Sequence, residues 1–355
     1  MKQFRAAATA LVGPLTPDGT FDAPAYEKLL EFQIREGIGA VVSMGTTFGS
    51  PTFALEHHKT INELTIELVA GKIPVICGGG SNNLAEAMEL SLAACKAGAF
   101  AILAVDPYYN GPASYHNRQL YHGRLAELIA RENPDCAYWP YIIPGRTGCK
   151  TWPVDLAILA DQFPNVTAVK EATGDLENMR QTRQLFAQLD QPVSILSGDD
   201  DLTAKMFSDP GILADGVISV VSNLAPAAVA QMVQAFLEGK VDEGNAIAVK
   251  LAPLFKLVTI TDKTQREFKG QLYQVDDKFR NPCGIQTAMA GIGMINANLR
   301  EPLGLMSSDA VEQVRVGLQQ VWKHTPEILA PIQEFYGVDI NAQLTNCDLW
   351  AKLSF

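Results

Sequence analysis

The chain has 355 residues, 47% of them hydrophobic and 19% charged, an ordinary globular composition with ample apolar material for a large core. A formal net charge of −11 argues against nucleic acid as a partner, because no basic patch stands out against it. No apolar stretch approaches the roughly 20 residues that a membrane helix needs, so a membrane is not an expected partner either.

From the N-terminus, residues 6–12 form an apolar run that Gly13-Pro14 interrupts. It is too short for the h-region of a signal peptide with its usual flanks. Further candidate strands follow at 40–44, 74–77, 101–105, 137–141, 166–170, 193–197 and 216–220. Between them lie segments with the apolar period of helices, for example 25–37, 84–98, 117–131, 155–163 and 176–189. Asp22 precedes the segment 25–37, Gly98 closes 84–98, and Pro153 stands near the start of 155–163. Eight strands, each followed by a helix, predict an α/β fold: a (β/α)8 TIM barrel over 1–240. A doubly wound open sheet, with fewer strands and a switch point, is the alternative. Beyond about Val241 the strand signal stops. Residues 243–257, 284–296, 308–324 and 327–335 read as helices, so 241–355 is expected to be a helical C-terminal region packed on the barrel. Within it, 259–280 is polar and carries both charge signs, as a surface excursion would.

The cysteines (Cys77, Cys95, Cys136, Cys149, Cys283 and Cys347) are dispersed, with no C-x-x-C pair. Free thiols in a reducing cytosol are the expectation, and with them a cytoplasmic protein. His57-His58 point in different directions on a helix, and no matching carboxylate spacing follows, so no metal site is expected.

Barrel enzymes place their chemistry where strands end and βα loops begin. The unusual polar residues fall in that register: Thr46-Thr47, Tyr108-Tyr109, Tyr141 with Arg146, Lys170-Glu171 and Asp199-Asp200. Alternation along the strand gives Val166, Ala168 and Lys170 one face and Val169 and Glu171 the other. If the first face points inward, a lone amine ends an apolar ladder, where desolvation favours the neutral form that attacks a ketone. A lysine marking an exposed strand end and paired with Glu171 fits the position as well. Ala137, Trp139 and Tyr141 share a face by the same parity, and a phenol at the mouth serves proton transfer or simply packs on the rim. Thr46 and Thr47 offer hydroxyls and amides to a carboxylate, or ordinary turn chemistry. Arg146, in a loop punctuated by Gly and Pro, suits bidentate carboxylate binding or a solvated surface. Gly78-Gly79-Gly80 lacks the spacing of a phosphate loop and reads as a tight turn.

The motifs Gly45-Thr46-Thr47, Pro107-Tyr108-Tyr109-Asn110, Tyr141-x-x-Pro144-Gly145-Arg146-Thr147-Gly148, Lys170-Glu171-Ala172-Thr173-Gly174, Ser197-Gly198-Asp199-Asp200 and Gly216-Val217-Ile218-Ser219 occur in this order over about 1–240, and Asn281-Pro282 follows. In these motifs and their spacing the chain resembles the dihydrodipicolinate synthase / N-acetylneuraminate lyase family. Arg146 in its Gly-Arg-Thr-Gly loop favours the synthase branch over the sugar-acid lyases. The resemblance implies that Lys170 forms an imine with pyruvate, with no other cofactor. It implies a proton relay of Tyr141, Thr46 and Tyr109, the last reaching in from a neighbouring subunit of a homo-oligomer, dimer or tetramer. Thr47 would bind the pyruvate carboxylate and Arg146 that of L-aspartate semialdehyde, with Gly198 and Ile218 lining the pocket. The implied product is 4-hydroxy-tetrahydrodipicolinate, in lysine biosynthesis.

The chain departs from the family pattern at several positions. Phe48-Gly49 stands for the usual Gly-Glu, where a phenylalanine is expected to reshape the carboxylate loop or narrow the pocket. Ile142 replaces Asn, Asp106 replaces Thr before Pro107, and Pro140 removes a ladder donor from a central strand. These changes also admit a 2-keto-3-deoxy sugar-acid or N-acetylneuraminate-type aldolase or dehydratase, or a non-catalytic barrel paralogue. The family's inhibitory lysine site corresponds here to Ser50, His58, Asn82, Glu86 and Tyr108. Leu55 takes the place of a usual histidine, so lysine feedback is expected to be weak or absent.

Overall fold

The computed structural model describes residues 3–355; Met1 and Lys2, at the start of the segment expected to form the barrel, lie outside the described residues. Eight parallel strands close into a barrel in sequence order: β1 (Ala7–Ala10), β2 (Ala40–Ser43), β3 (Val75–Gly78), β4 (Ala101–Val105), β5 (Ala137–Ile142), β6 (Ala168–Glu171), β7 (Ser194–Ser197) and β8 (Gly216–Ser219). Most are short, largely apolar runs, because a parallel strand under crossover helices is buried on both faces; β6 ends in Lys170-Glu171. A helix follows every strand, from Ala23–Arg35 after β1 to Pro226–Leu237 after β8. The signals at the helix ends act as the sequence suggests. The Asp22 carboxylate accepts the Ala25 N–H at 3.0 Å, and Gly98 ends its helix in left-handed backbone at φ 98°.

Alternation sorts the strand side chains into two layers. Ala8, Val42, Ile76, Leu103, Trp139, Ala168, Leu196 and Ile218 fill the barrel interior. Val41, Val75, Ile102, Tyr138, Val169, Ile195 and Val217 meet the helices. Small residues such as Ala8 and Ala168 leave space in this interior for Trp139, packed against Phe4 and Phe100 with ring centroids 5.2 and 6.0 Å away.

Strand parity fails at one expected position. Tyr138 pairs with Val166, but Tyr141 pairs with Lys170, so β6 spends one more residue than β5 over the same stretch. The extra residue is a bulge at Thr167-Ala168, and it turns Val166 outward to the helices rather than onto the face of Lys170. It falls at the level of Pro140, which has no N–H for the ladder. The Thr167 carbonyl accepts instead from the Ser194 N–H across β7, at 2.9 Å. The proline that is awkward in a central strand is thereby accommodated.

The strand signal does not stop at Val241. Residues 259–280 form an antiparallel hairpin, β9 (Thr259–Phe268) and β10 (Gln271–Arg280), turned by Lys269-Gly270 with both φ positive, at 51° and 76°. Most of it is exposed, and Ile260 and Thr264 are its buried residues. Helices Val241–Phe255, Cys283–Gly291 and Ser308–His324 pack around it and against the barrel, followed by shorter ones to Ala351. The helix expected over 284–296 ends early, where Gly293 enters left-handed backbone at φ 82°. Among the described residues no helix is long and apolar enough to cross a membrane.

Candidate active site

Lys170 ends the inward ladder of β6 and is 5% exposed. Its Nζ lies 4.2 Å from the ring centroid of Tyr141, its register neighbour on β5. Space for the amine comes from two small neighbours. Ala168 precedes it on the same face. Gly198 faces its side chain, where a Cβ would stand 3.1 Å from Lys170 Cε and 2.8 Å from Ala172 Cβ. Glu171 points the other way and accepts from the Thr173 N–H at 2.9 Å and from Asn178 Nδ2 at 3.1 Å. A surface Lys170–Glu171 pair is therefore not what the chain builds. Burial pulls the Lys170 amine down to about 8, against the nearby Asp199 and Asp200 carboxylates, which favour the charged form. Asp199 is itself pushed up to about 6, first by burial and then by Asp201. Asp200 is held by Ser219 Oγ and by the N–H groups of Val220 and Val221, at 2.9 and 3.2 Å. The sequence shows this acidic pair, yet only the fold reveals that it lies near the buried amine and partly offsets the effect of burial on it.

Burial pushes the Tyr141 phenol up to about 12, opposed by the Arg146 guanidinium and by the Thr46 hydroxyl beside it. Thr46 and Thr47 lie on the 3-10 turn Thr46–Phe48, which Gly49 closes at φ 79°. Thr46, Tyr141 and Arg146 line one cavity of about 200 Å³, together with Gly45, Tyr108 and Ile143. Thr47 is buried beside it and accepts from Asn281 Nδ2 at 3.0 Å. Arg146, on the short turn Pro144–Thr147, is exposed and donates from Nη2 to the Asn281 carbonyl at 2.9 Å. Asn281 thus joins the two candidate carboxylate-binding residues from outside the barrel, and its Oδ1 has no partner. Sequence reading placed Asn281 in a motif without giving it a role. Ile218 packs in the inner layer of the barrel.

One expectation is not met. Phe48 does not narrow the pocket. It turns into the layer between strands and helices, against Phe21, Tyr26 and Phe53, over the bare face of Gly13. Tyr109 is not brought to the site by its own chain: it is 89% exposed, with its backbone left-handed at φ 76°.

A second cavity of about 180 Å³ adjoins the first and shares Ser50, Pro51, Gly80 and Tyr108 with it. Leu55, His58 and Glu86 line it, whereas Asn82 stays outside the lining, next to Ser81. Burial pulls His58 down to about 4, so its imidazole is neutral and donates from Nε2 to the Gly78 carbonyl at 2.9 Å.

A lysine desolvated at the C-terminal rim of a (β/α)8 barrel defines a class: barrel enzymes that work through a neutral amine nucleophile. Comparison with known proteins is more specific. The chain belongs to the dihydrodipicolinate synthetase family, whose model matches residues 3–321. A 4-hydroxy-tetrahydrodipicolinate synthase of Leptospira biflexa is 36% identical over 311 residues, 87% of this chain and 95% of the relative. Another, of Syntrophus aciditrophicus, is 36% identical over 316 residues, covering 89% and 98%. The crystal structure of a dihydrodipicolinate synthase from Thermotoga maritima superposes with a TM-score of 0.78 at 32% identity, over 90% of this chain and 99% of that one.

Proposed function

We propose that the protein condenses pyruvate with L-aspartate semialdehyde to 4-hydroxy-tetrahydrodipicolinate through an imine on Lys170. The observation that carries this reading is the buried amine, whose lowered pKa leaves a usable fraction neutral near physiological pH. The amine adds to C2 of pyruvate, and the carbinolamine loses water to give the imine. Tyr141, a phenol that stays protonated, delivers the proton that the departing hydroxyl needs. The Tyr141 oxygen, having given up its proton, takes one from C3 and leaves the enamine, whose C3 forms a bond to the aldehyde carbon. The resulting alkoxide takes up a proton through Thr46 and Tyr141. The amine of the second substrate adds to C2, closes the ring and expels Lys170. Thr47 holds the pyruvate carboxylate and Arg146 the carboxylate of the second substrate, with Gly198 keeping the space that Lys170 swings through. Tyr109 completes the relay from a second copy in a cytoplasmic homo-oligomer, and no cofactor beyond the imine takes part.

Borohydride reduction in the presence of pyruvate, read by intact mass, tests the chemistry. The expected result is one pyruvyl adduct per chain, absent in Lys170→Ala. No adduct at saturating pyruvate would leave a non-catalytic barrel. An adduct without turnover of L-aspartate semialdehyde, but with turnover of sugar acids, would keep the imine and replace the second substrate.

A further inference from the structure

Asp106 follows the last residue of β4 and carries a fully buried carboxylate. Three donors converge on it: the Thr151 N–H at 3.0 Å, Thr151 Oγ1 at 2.8 Å and His122 Nε2 at 2.7 Å. The other imidazole nitrogen, Nδ1, lies 2.6 Å from the Tyr138 hydroxyl. Burial holds the Tyr138 phenol well above its ordinary pKa, so the phenol keeps its proton. Nε2 carries the hydrogen given to Asp106, because a carboxylate oxygen accepts. Tyr138, His122 and Asp106 form one hydrogen-bonded chain, enclosed between β4, β5 and a π-helical turn at Asn117–His122. A buried carboxylate is costly unless hydrogen-bonded, and both oxygens of this one have donors.

The chemistry described above makes no use of this network, but its position is informative. Asp106 immediately precedes Pro107-Tyr108-Tyr109, and Thr151 closes the loop that carries Arg146. The same two loops touch again where Cys149 Sγ donates to the Pro107 carbonyl at 3.0 Å. They meet a third time where Gly111 faces the Gly148 carbonyl, so closely that a Cβ there would stand 3.2 Å from its oxygen. Between these ties sits Tyr109 in left-handed backbone, a conformation that a tyrosine keeps only when its surroundings over-determine it. The threonine usual in the family at position 106 has one hydroxyl and could not satisfy these three donors.

We propose that Asp106, oriented by His122 and Tyr138, is a positioning residue: it lashes the Tyr109 loop to the Arg146 loop and so fixes where the Tyr109 hydroxyl stands. The proposal rests on the reading of the site as an imine-forming proton relay. It predicts a defect in proton transfer that spares imine formation, since Lys170 lies on β6, outside the network.

The test uses the full chain with Asp106→Asn and, as a milder change, Tyr138→Phe. Two partial reactions are measured: borohydride trapping at saturating pyruvate, and exchange of the pyruvate C3 protons in D2O followed by NMR. Trapping is expected at the wild-type level in both variants. Exchange and kcat should fall together, by about tenfold or more in Asp106→Asn and less in Tyr138→Phe, within the range that a positioned acid–base group contributes. Combined with Tyr109→Phe, Asp106→Asn should add little further loss, because both act through the same hydroxyl. Wild-type exchange in folded Asp106→Asn, equal loss of trapping and exchange, or additive loss in the double variant would each overturn the proposal. If Asp106→Asn does not fold, Tyr138→Phe decides by the same three criteria. Failure of the wild-type chain to trap pyruvate would overturn the imine reading itself, whereas failure confined to the variants overturns only the positioning role.

Discussion

At Lys170 burial and charge pull in opposite directions, and burial wins. The sign of the pH dependence follows: below about 8 the amine is held as ammonium, and above it the neutral nucleophile predominates. The rate of adduct formation at subsaturating pyruvate should therefore rise with pH with its inflection near 8, well below the 10.5 of an ordinary lysine. Asp199→Asn removes a carboxylate that favours the ammonium, so the inflection should move to lower pH. A shift to higher pH would show that Asp199 acts otherwise than by its charge. Arg146 gives a second prediction at this scale. Arg146→Ala removes a charge-assisted contact worth about 1.5–3 kcal/mol, so KM for the second substrate should rise roughly tenfold to a hundredfold. The KM for pyruvate should change little, and equal effects on both would remove Arg146 from its role. The inward facing of Tyr141 and Lys170 was legible because strand alternation is local. Val166 was not, since the bulge that turns it depends on Pro140 in the neighbouring strand. Asn281 was not either, because its partner Thr47 lies 234 residues away in sequence.

The elements around the second cavity decide whether free lysine binds there. Its wall combines the turn Ser50–Thr52, the helix starting at Leu55 and the Glu86 side of the helix Leu84–Ala97. Glu86 offers a carboxylate to an ammonium, but that carboxylate already accepts from Ser81 Oγ at 2.8 Å. His58 is neutral and its Nε2 hydrogen is committed to Gly78, so it adds no charge for a carboxylate ligand. Leu55 lines the cavity with apolar surface where a histidine would supply a hydrogen bond, and such a bond contributes about 0.5–1.5 kcal/mol. Calorimetric titration with L-lysine should accordingly give weak or no binding, and initial rates at subsaturating pyruvate should be little inhibited. Leu55→His should tighten binding by up to about tenfold; tight binding by the wild-type chain would overturn this account. Element by element, the barrel strands were legible because burial on both faces leaves unbroken apolar runs. The hairpin β9–β10 was not, because charged residues such as Lys263, Glu267, Asp276 and Lys278 interrupt any apolar alternation. Its turn, Lys269-Gly270, also lacks the Asn-Gly or Asp-Gly signature.

At the scale of the whole molecule, one chain supplies the amine, the phenol, the threonine turn and the guanidinium, and leaves Tyr109 in solvent. A left-handed tyrosine stores strain of about 1–3 kcal/mol, which exposure alone does not repay. If a second copy receives Tyr109, each site takes Lys170 from one chain and Tyr109 from the other, as an isologous two-fold contact allows. Complementation distinguishes this arrangement from a self-contained chain. Lys170→Ala destroys the nucleophile and leaves Tyr109 intact, while Tyr109→Phe does the reverse, so each homomer alone should be severely impaired. In a mixed dimer, the Tyr109→Phe chain brings the lysine and the Lys170→Ala chain brings the phenol, restoring one site of the two. Random pairing of equal amounts by co-expression should recover roughly a quarter of wild-type sites. A chain that uses its own Tyr109 would recover none, because no pairing of these two variants puts both groups on one polypeptide. Dilution gives the same discrimination without mutation. Turnover should fall as copies separate while pyruvate trapping by Lys170 persists, since the amine and its desolvating neighbours Ala168, Gly198 and Tyr141 all belong to one barrel.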